Sequence, residues 1–296
     1  MRIPYYPGCT VKTTAKNLEE SALASAAALG IELEELERWN CCGVVACLAG
    51  DNLMEQLAPI RNLIRVQEQG ADRVVTMCSL CYGTLKAANA LFRRDEEKRE
   101  KINQFMYEEP DYEGGVEVLH LLEVLRDEIG FDTIAARVGE GLAGLRIAPY
   151  YGCLLLRPRE LGLDDPEDPH ILEDLMESVG ADVIVDPYRT ECCGSYQTVS
   201  NIDLVAERTR RIVGSAVRRG ADIIVTSCPV CHFNLDRRQR DVLRIDREFS
   251  GLPVLYFTQV LAFALDLPES VMHFDLHEID PRPVLESKAR TAGVSE

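Results

Sequence analysis

Short apolar runs recur at matching places in the two halves of the chain and predict buried strands. Residues 2–6 and 145–151 each lead into a glycine–cysteine pair. Residues 73–77 and 222–226 each lead into a Cys-x-x-Cys motif. Brief, continuous apolar runs are typical of strands in parallel sheets, which are covered on both faces.

Between these runs, apolar residues at three- and four-residue spacing predict helices. Residues 17–29 place Leu18 and Ala22 on one face, and Gly30 follows as a C-terminal cap. Residues 59–69 show the same spacing. Because strands and helices alternate in both halves, the sequence predicts an α/β fold with a parallel sheet in each half.

Four further segments carry weaker patterns. Residues 92–101 are a run of charges, which we interpret as an exposed helix face. Residues 108–115 and the acidic segment 163–169 contain prolines or glycines typical of loops. The polar tail from Asp280 contains two prolines and predicts a mobile terminus.

The two halves of the chain repeat each other. The matching segments are residues 5–9 with 150–153, 40–43 with 191–194, and 70–78 with 220–228. The offset of about 150 residues is too long for a solenoid repeat and indicates a duplicated domain. We predict a first domain at residues 1–140 and a second domain, with a C-terminal tail, at residues 141–296; the junction lies near residues 139–144.

Composition and charge narrow the class of protein. The chain has 296 residues, 46% of them hydrophobic, which suits two packed domains. No stretch approaches the roughly 20 apolar residues of a membrane span, and the start leaves no room for a signal peptide before the first motif. We therefore expect a cytoplasmic protein without a membrane span. The net charge of −17 disfavours nucleic acid as a partner.

Ten of the eleven cysteines follow the repeat, five in each half. The first cysteine set is Cys9, Cys41, Cys42, Cys78 and Cys81, and the second cysteine set is Cys153, Cys192, Cys193, Cys228 and Cys231. Cytoplasmic thiols are kept reduced, so patterned cysteines there more often bind metal or carry out redox work than form disulfides. The eleventh, Cys47, has no mate in the second half and is interpreted as a small buried hydrophobe.

The number of thiols in each set favours an iron–sulfur cluster over zinc. A structural zinc site takes four ligands, usually two Cys-x-x-Cys pairs or cysteines with histidines. Each half offers five cysteines, only one Cys-x-x-Cys and no histidine that repeats beside them. One zinc ion per half stays open as an alternative. Five thiolates exceed the four of an ordinary cubane and indicate one cluster per half with non-standard ligation.

This cysteine pattern resembles the B subunit of heterodisulfide reductase, a family with two cysteine-rich CCG domains. The resemblance covers roughly residues 2–267 and includes both cysteine sets, although the 34 residues between Cys193 and Cys228 are one fewer than the family pattern. The resemblance implies duplicated CCG domains, each a small parallel-sheet Rossmann-like α/β unit, related by a pseudo-twofold. It also implies that each cysteine set binds one noncubane [4Fe-4S] cluster.

The resemblance further implies the catalytic subunit of a heterodisulfide-reductase-like complex. Such a protein reduces a disulfide, CoM-S-S-CoB or a related one, to two thiols between its clusters. Electrons would come from a ferredoxin that resembles the family's C subunit, and a flavoprotein that resembles its A subunit would supply that ferredoxin. The chain has no Gly-x-Gly-x-x-Gly dinucleotide fingerprint that follows a strand and opens a helix, so we expect it to bind no flavin or nicotinamide itself. The alternative is an iron–sulfur electron-relay subunit of a quinone- or thioester-linked dehydrogenase or reductase complex.

Several residues beside the cysteines are candidates for supporting roles. His232 directly follows Cys231 and is the candidate catalytic side chain, as a hydrogen-bond donor to the cluster or a proton source. Gly8 and Gly152 permit a close backbone approach. Four cations near the cysteines are candidates for neutralising a cluster or holding an anionic thiol substrate, with solvated surface charge as the other interpretation. They are Lys12, Arg157, Arg159 and Arg189.

Overall fold

Two four-stranded parallel sheets form the frame of this computed structural model, which describes residues 1–44, 52–138 and 141–292. The strands are β1 (Arg2–Tyr5), β2 (Glu32–Glu35), β3 (Arg73–Thr76), β4 (Glu117–His120), β5 (Arg146–Tyr150), β6 (Asp182–Val183), β7 (Ile223–Thr226) and β8 (Val254–Tyr256). The order is β2-β1-β3-β4 in the first sheet and β6-β5-β7-β8 in the second. The predicted α/β fold with a duplicated parallel-sheet unit is confirmed.

Helices make the crossovers that parallel strands require. In the described part of the chain they are α1 (Cys9–Thr13), α2 (Lys16–Ala28), α3 (Leu57–Glu68), α4 (Ser79–Arg94), α5 (Glu96–Phe105), α6 (Leu121–Val124), α7 (Phe131–Val138), α8 (Ile171–Ser178), α9 (Gln197–Ser200), α10 (Ile202–Arg218), α11 (Pro229–Arg237), α12 (Gln239–Ile245), α13 (Phe257–Ala264) and α14 (Arg282–Ala292). Short 3-10 or π turns lie at Leu53–Gln56, Leu125–Ile129, Glu269–Val271 and Phe274–Leu276. Among these described helices, none has the length and apolar character needed to cross a bilayer.

The central strands carry the apolar sequence, whereas the edge strands differ among themselves. All four residues of β7 are buried, and Val74 and Val75 of β3 are fully buried. Strand β2, at the edge of the first sheet, consists of Glu-Leu-Glu-Glu with no buried residue, whereas all three residues of β8, at the edge of the second sheet, are buried. Central strands are covered on both faces and must be apolar, so they leave a recognisable run in the sequence.

Two of the weaker patterns can be refined. The charged run at residues 92–101 is helical and largely exposed, as predicted, but it spans the junction of two helices, because Asp95 accepts a hydrogen bond from the Lys98 amide and caps α5. Phe92, within that run, is fully buried. In the tail, for which the sequence predicted a mobile terminus, residues 282–292 form helix α14, and Leu285 is buried against the core.

The two halves pack against each other through a reciprocal exchange of helices. Helix α13, which follows β8, packs on α2 of the first half, and α7, which follows β4 and α6, packs on α8 of the second. Ser21 and Thr258 join α2 to α13 with a hydrogen bond of 2.7 Å between their hydroxyls. This arrangement is the packing expected of a pseudo-twofold pair. The proposed boundary at residue 140 falls at residues 139–140, outside the described residues, and stays a prediction.

Candidate metal centres

The first cysteine set forms an unbroken series of thiol contacts. Cys9 Sγ lies 3.6 Å from Cys41 Sγ, and the contacts continue through Cys42 and Cys81 to Cys78. Cys9 begins α1 just after β1, and Cys78 is the N-cap of α4 just after β3. The carboxyl ends of two neighbouring parallel strands therefore deliver these thiols to one point, as the sequence predicted.

The second cysteine set repeats the same order of contacts. Cys153 contacts Cys192, Cys192 contacts Cys193, and the series continues through Cys231 to Cys228. The sulfur atoms of Cys193 and Cys231 lie 3.5 Å apart, far beyond the roughly 2.05 Å of a disulfide bond. The structure thus gathers the ten predicted ligands, all free thiols, into two groups of five. Their role as cluster ligands stays a prediction, and Cys47 lies outside the described residues.

Backbone amides point at the adjacent cysteine pair in each half. The Gly194 amide donates to Cys192 Sγ and the Ser195 amide to Cys193 Sγ, both at 3.4 Å. The amides of residues 43–44 donate to the corresponding pair in the first half. Amide donors stabilise a thiolate, and they would stabilise the charge of a cluster in the same way.

Several thiols have pKa values below the usual range for cysteine. Hydrogen bonds from neighbouring thiols lower the pKa of Cys42 and of Cys192. The pKa of Cys228 is also lowered, chiefly by Cys231 and further by amides at the start of α11. Each set therefore contains a thiolate near neutral pH, the form of cysteine that binds metal.

Two glycines make room for the sulfur atoms. Gly8 has φ +75°, and a Cβ atom there would lie 2.8 Å from Cys81 Sγ. Gly152 has φ +69°, and a Cβ atom there would lie 3.0 Å from Cys231 Sγ. Each site therefore offers five thiol donors around a space that one added methyl group would fill. Such a site fits an iron–sulfur cluster better than a four-ligand zinc ion.

A tyrosine in each half anchors the loop that carries the adjacent cysteines. Tyr6 donates a 2.8 Å hydrogen bond to the Asn40 carbonyl, and Tyr150 donates a 2.6 Å hydrogen bond to the Glu191 carbonyl. Each acceptor is the residue directly before the cysteine pair. Neither tyrosine was predicted to have this role, although both stand three residues before the first cysteine of their set.

The same pair of rings stands beside each set, with the two residue types exchanged. Tyr82, which follows Cys81, meets His120 edge-on at 5.7 Å between ring centroids. His232, which follows Cys231, stacks on Tyr256 at 4.3 Å. The two halves are therefore alike in shape but differ in chemistry next to the last cysteine.

His232 belongs to a buried group that has the composition of a metal site. Ligand atoms of His232, Asp236 and His277 lie within 4.8 Å of one another, and all three residues are buried. Asp236 Oδ1 has no hydrogen-bond partner within the described part of the chain. The hydrogen bonds around this group decide whether it suits a metal ion.

The orientation of Gln259 opposes metal binding at this group. Gln259 Oε1 accepts from the Tyr256 amide, and its Nε2 donates to the Met272 carbonyl and to His277 Nε2, the last at 2.8 Å. Since His277 Nε2 accepts, the ring proton is assigned to Nδ1, which faces His232 Nε2 at 3.4 Å. A metal-bound histidine donates through its other nitrogen, which is the opposite polarity. These contacts favour a positioning role for His232, whose catalytic role stays a prediction.

Replacing Asp236 by Asn is expected to remove part of the pH dependence of stability. Burial raises the pKa of Asp236 to about 7, against about 3.9 in an unfolded chain. Between these values the folded state keeps a proton that the unfolded state releases, so this group makes stability fall as pH rises. We expect Asp236→Asn to gain stability relative to wild type between pH 5 and pH 8, measured as urea unfolding midpoints.

The matched control for this prediction is Asp203→Asn at an exposed position. It should retain the pH dependence of the wild type. An Asp236→Asn protein whose unfolding midpoints follow the wild type at every pH would contradict the assignment.

The two cysteine sets face each other across the interface between the halves. Ser79, next to Cys78, and Ser227, next to Cys228, share a buried hydrogen bond of 2.7 Å. Burial raises the pKa of Tyr196, and negative charge on thiolates of both sets raises it further. One tyrosine thus experiences the electrostatic field of both sets.

A cavity of about 500 Å³ lies beside sequence neighbours of both sets, and none of its lining residues is a cysteine. Thr10, directly after Cys9, lines it from the first half, and Val230, inside the second Cys-x-x-Cys, lines it from the other. Tyr196 and Tyr256 also line this cavity. A small molecule held here would contact residues that directly adjoin cysteines of both sets.

The cations of this cavity differ from those that the sequence suggested. The four suggested cations are all engaged in ion pairs: Lys12 with Glu35, Arg157 with Glu167, Arg159 with Asp165, and Arg189 with Asp168. Arg237 and Arg240 line the cavity instead, and they share Glu278, at 3.4 and 3.9 Å. The sequence did not single out Arg237 and Arg240, because their position at the cavity depends on how α11 and α12 pack.

Comparison with known proteins gives matches along nearly the whole chain. A family model for the cysteine-rich domain CCG matches residues 3–86 and 147–236. The 8-methylmenaquinol:fumarate reductase membrane anchor subunit of Wolinella succinogenes is 31% identical over 93% of this chain and 96% of the relative. A protein of Archaeoglobus profundus that is named as similar to the heterodisulfide reductase B subunit is also 31% identical, over 89% of this chain and 91% of the relative.

A third relative and one solved structure extend the comparison. The B subunit of the ferredoxin/F(420)H(2)-dependent CoB-CoM heterodisulfide reductase of Methanosarcina acetivorans is 28% identical over 89% of both chains. A crystal structure of a hypothetical protein from Helicobacter pylori superposes with a TM-score of 0.73 at 11% identity. The match covers 94% of this chain and 51% of that chain, and at this identity the likeness concerns the fold alone.

Proposed function

Because this chain belongs to the family of proteins with cysteine-rich CCG domains, we propose that it is the disulfide-reducing iron–sulfur subunit of a heterodisulfide-reductase-like complex. The relatives support the coarser statement that it is an iron–sulfur electron-transfer subunit of an oxidoreductase. Beyond this statement, we propose that each cysteine set binds one noncubane [4Fe-4S] cluster. We also propose that the substrate is a disulfide, CoM-S-S-CoB or a related one.

The cavity lined by residues next to Cys9 and Cys231, one from each half, is the observation that carries this proposal. Reduction of a disulfide adds two electrons and two protons, breaks the sulfur–sulfur bond and releases two thiols. When bound, two iron–sulfur clusters would each supply one electron to a substrate that lies between them. A cavity at only one set would support electron relay and would not explain the duplication.

The chain's own residues would bind and orient this substrate. Arg237 and Arg240 together carry more positive charge than Glu278 neutralises, so they suit a disulfide with an anionic group. Tyr196 and Tyr256 supply aromatic walls of this cavity. The Ser79–Ser227 hydrogen bond holds the sets at a fixed separation.

A partner protein is needed as the source of electrons. We propose a ferredoxin of the C-subunit type as the direct donor and a flavoprotein of the A-subunit type behind it. Cys192 is exposed, and exposed apolar side chains at Tyr196, Val199 and Ile202 follow it along the chain. An apolar surface beside a redox centre is suitable for contact with an electron-donating protein.

One relative favours a second candidate function. The Wolinella succinogenes protein carries the name of a membrane anchor subunit of a methylmenaquinol:fumarate reductase and matches 93% of this chain. By this comparison, the chain would be an electron-relay subunit of a quinone-linked complex. In that case the clusters pass electrons without cleaving a disulfide.

Chemical analysis and EPR of anaerobically prepared protein test the two functions. Two [4Fe-4S] clusters require about eight irons and eight sulfides per chain. A cluster signal that changes on addition of a thiol or disulfide supports disulfide reduction, because the substrate sulfur then reaches the iron. If the protein has its full iron content, its cluster signal does not respond to any thiol and a quinone oxidises the reduced clusters, the electron-relay function is supported. Zinc without sulfide contradicts both.

A further inference from the structure

The residue three positions after the last cysteine occupies the same place in both halves. It is Thr84 in the first half and Asn234 in the second, and both are fully buried. Asn234 donates a hydrogen bond to Cys193, the second cysteine of the adjacent pair, whereas Thr84 Oγ1 has no hydrogen-bond partner in the described part of the chain. The two halves therefore differ at this position beside otherwise similar groups of thiols.

Asn234 is held with its amide nitrogen directed at the sulfur. Its Nδ2 lies 3.4 Å from Cys193 Sγ and 3.0 Å from the Ser195 carbonyl. A carbonyl oxygen only accepts, so this contact identifies the nearby side-chain atom as the NH₂ group. The amide therefore donates to Cys193 from a fixed direction.

The first half has no equivalent of this hydrogen bond. Thr84 Oγ1 is buried and has no hydrogen-bond partner within the described part of the chain. Thr84 therefore gives Cys42 no counterpart of the amide that Asn234 directs at Cys193.

We propose that Asn234 sets the reduction potential of the centre in the second half. This inference rests on the proposed binding of iron–sulfur clusters by the two sets. Reduction adds negative charge to a cluster, and a donor aimed at a ligand sulfur stabilises that charge and raises the potential. An oriented amide at one centre, with no hydrogen bond from Thr84 at the equivalent place of the other, makes two similar centres electronically unequal.

A near-isosteric substitution tests this donor without emptying the space that it fills. Asn234→Leu removes the donor and keeps most of the volume. In an EPR-monitored redox titration of the full chain, it should move one reduction wave to lower potential and leave the other in place. The matched controls are Thr84→Val at the equivalent position and Leu235→Val at the neighbouring buried side chain, and they should move neither wave.

Iron and sulfide analysis separates failure of this inference from failure of the proposed function. Wild-type protein without iron and sulfide would refute the proposed function. Full iron with unshifted waves, or with both waves shifted equally by Asn234→Leu, would overturn only the present inference. A shift in Thr84→Val as large as that in Asn234→Leu would also overturn it.

Discussion

Gly8→Ala is expected to deprive the first cysteine set of its iron while the second set stays loaded. The added methyl group would lie 2.8 Å from Cys81 Sγ, closer than real Cβ contacts come, and this sulfur must hold its position to bind metal. Alanine at φ +75° adds about 1–2 kcal/mol of backbone strain. Iron per chain should fall to about half, measured by metal analysis after anaerobic reconstitution.

Backbone strain alone can be separated from the clash with sulfur. Gly30 has φ +84° but nothing within 4 Å of its Cβ position, so Gly30→Ala imposes the strain without the clash. It should lower thermal stability and keep full iron. Gly152→Ala should empty the second set, because its methyl group would lie 3.0 Å from Cys231 Sγ. Equal iron loss in Gly8→Ala and Gly30→Ala would show that the clash with Cys81 Sγ is not the cause of the loss.

The sequence predicts those strands and helices whose burial requires a recognisable pattern of apolar residues. The runs before the cysteines were recognisable because β1, β3, β5 and β7 are central strands with apolar residues. Strand β2 and the two-residue β6 lie at sheet edges, where burial imposes no such pattern. The resemblance to heterodisulfide reductase B subunits, which rested on spacing alone, is confirmed by relatives along most of the chain.

From the sequence, the site could be predicted only at positions where the residue type itself indicates metal binding or redox chemistry. Ten repeated cysteines identify two groups of five, because few tasks other than metal or redox work need such a set. Asn234 is an ordinary residue inside a helix, and its direction toward the sulfur of Cys193 appears only once α11 is in place. The cavity likewise needs both halves, since its wall combines residues that are far apart in the sequence.

Arg240→Gln is expected to weaken reduction of an anionic disulfide and to spare a neutral one. Arg240 lines the cavity, and its contact with Glu278 is long, at 3.9 Å, so its charge is available to a ligand. Hydrogen bonds to charged groups contribute about 1.5–3 kcal/mol, which corresponds to at least about tenfold in kcat/KM. The loss should appear mainly in KM, because binding of a remote anionic group contributes equally to the ground and transition states.

Arg244→Gln is the matched control for this prediction, since Arg244 lies one turn further along, is highly exposed and pairs with Asp241. It should leave both substrates unaffected. Glu278→Gln gives the reciprocal test: it removes the carboxylate that Arg237 and Arg240 share, so KM for the anionic disulfide should fall below the wild-type value. Both effects should shrink at high ionic strength, because the groups are partly exposed and salt screens them. If Arg240→Gln lowers the rates with anionic and neutral disulfides equally, the cavity does not recognise the anion, and the relay function becomes the better account of the chain.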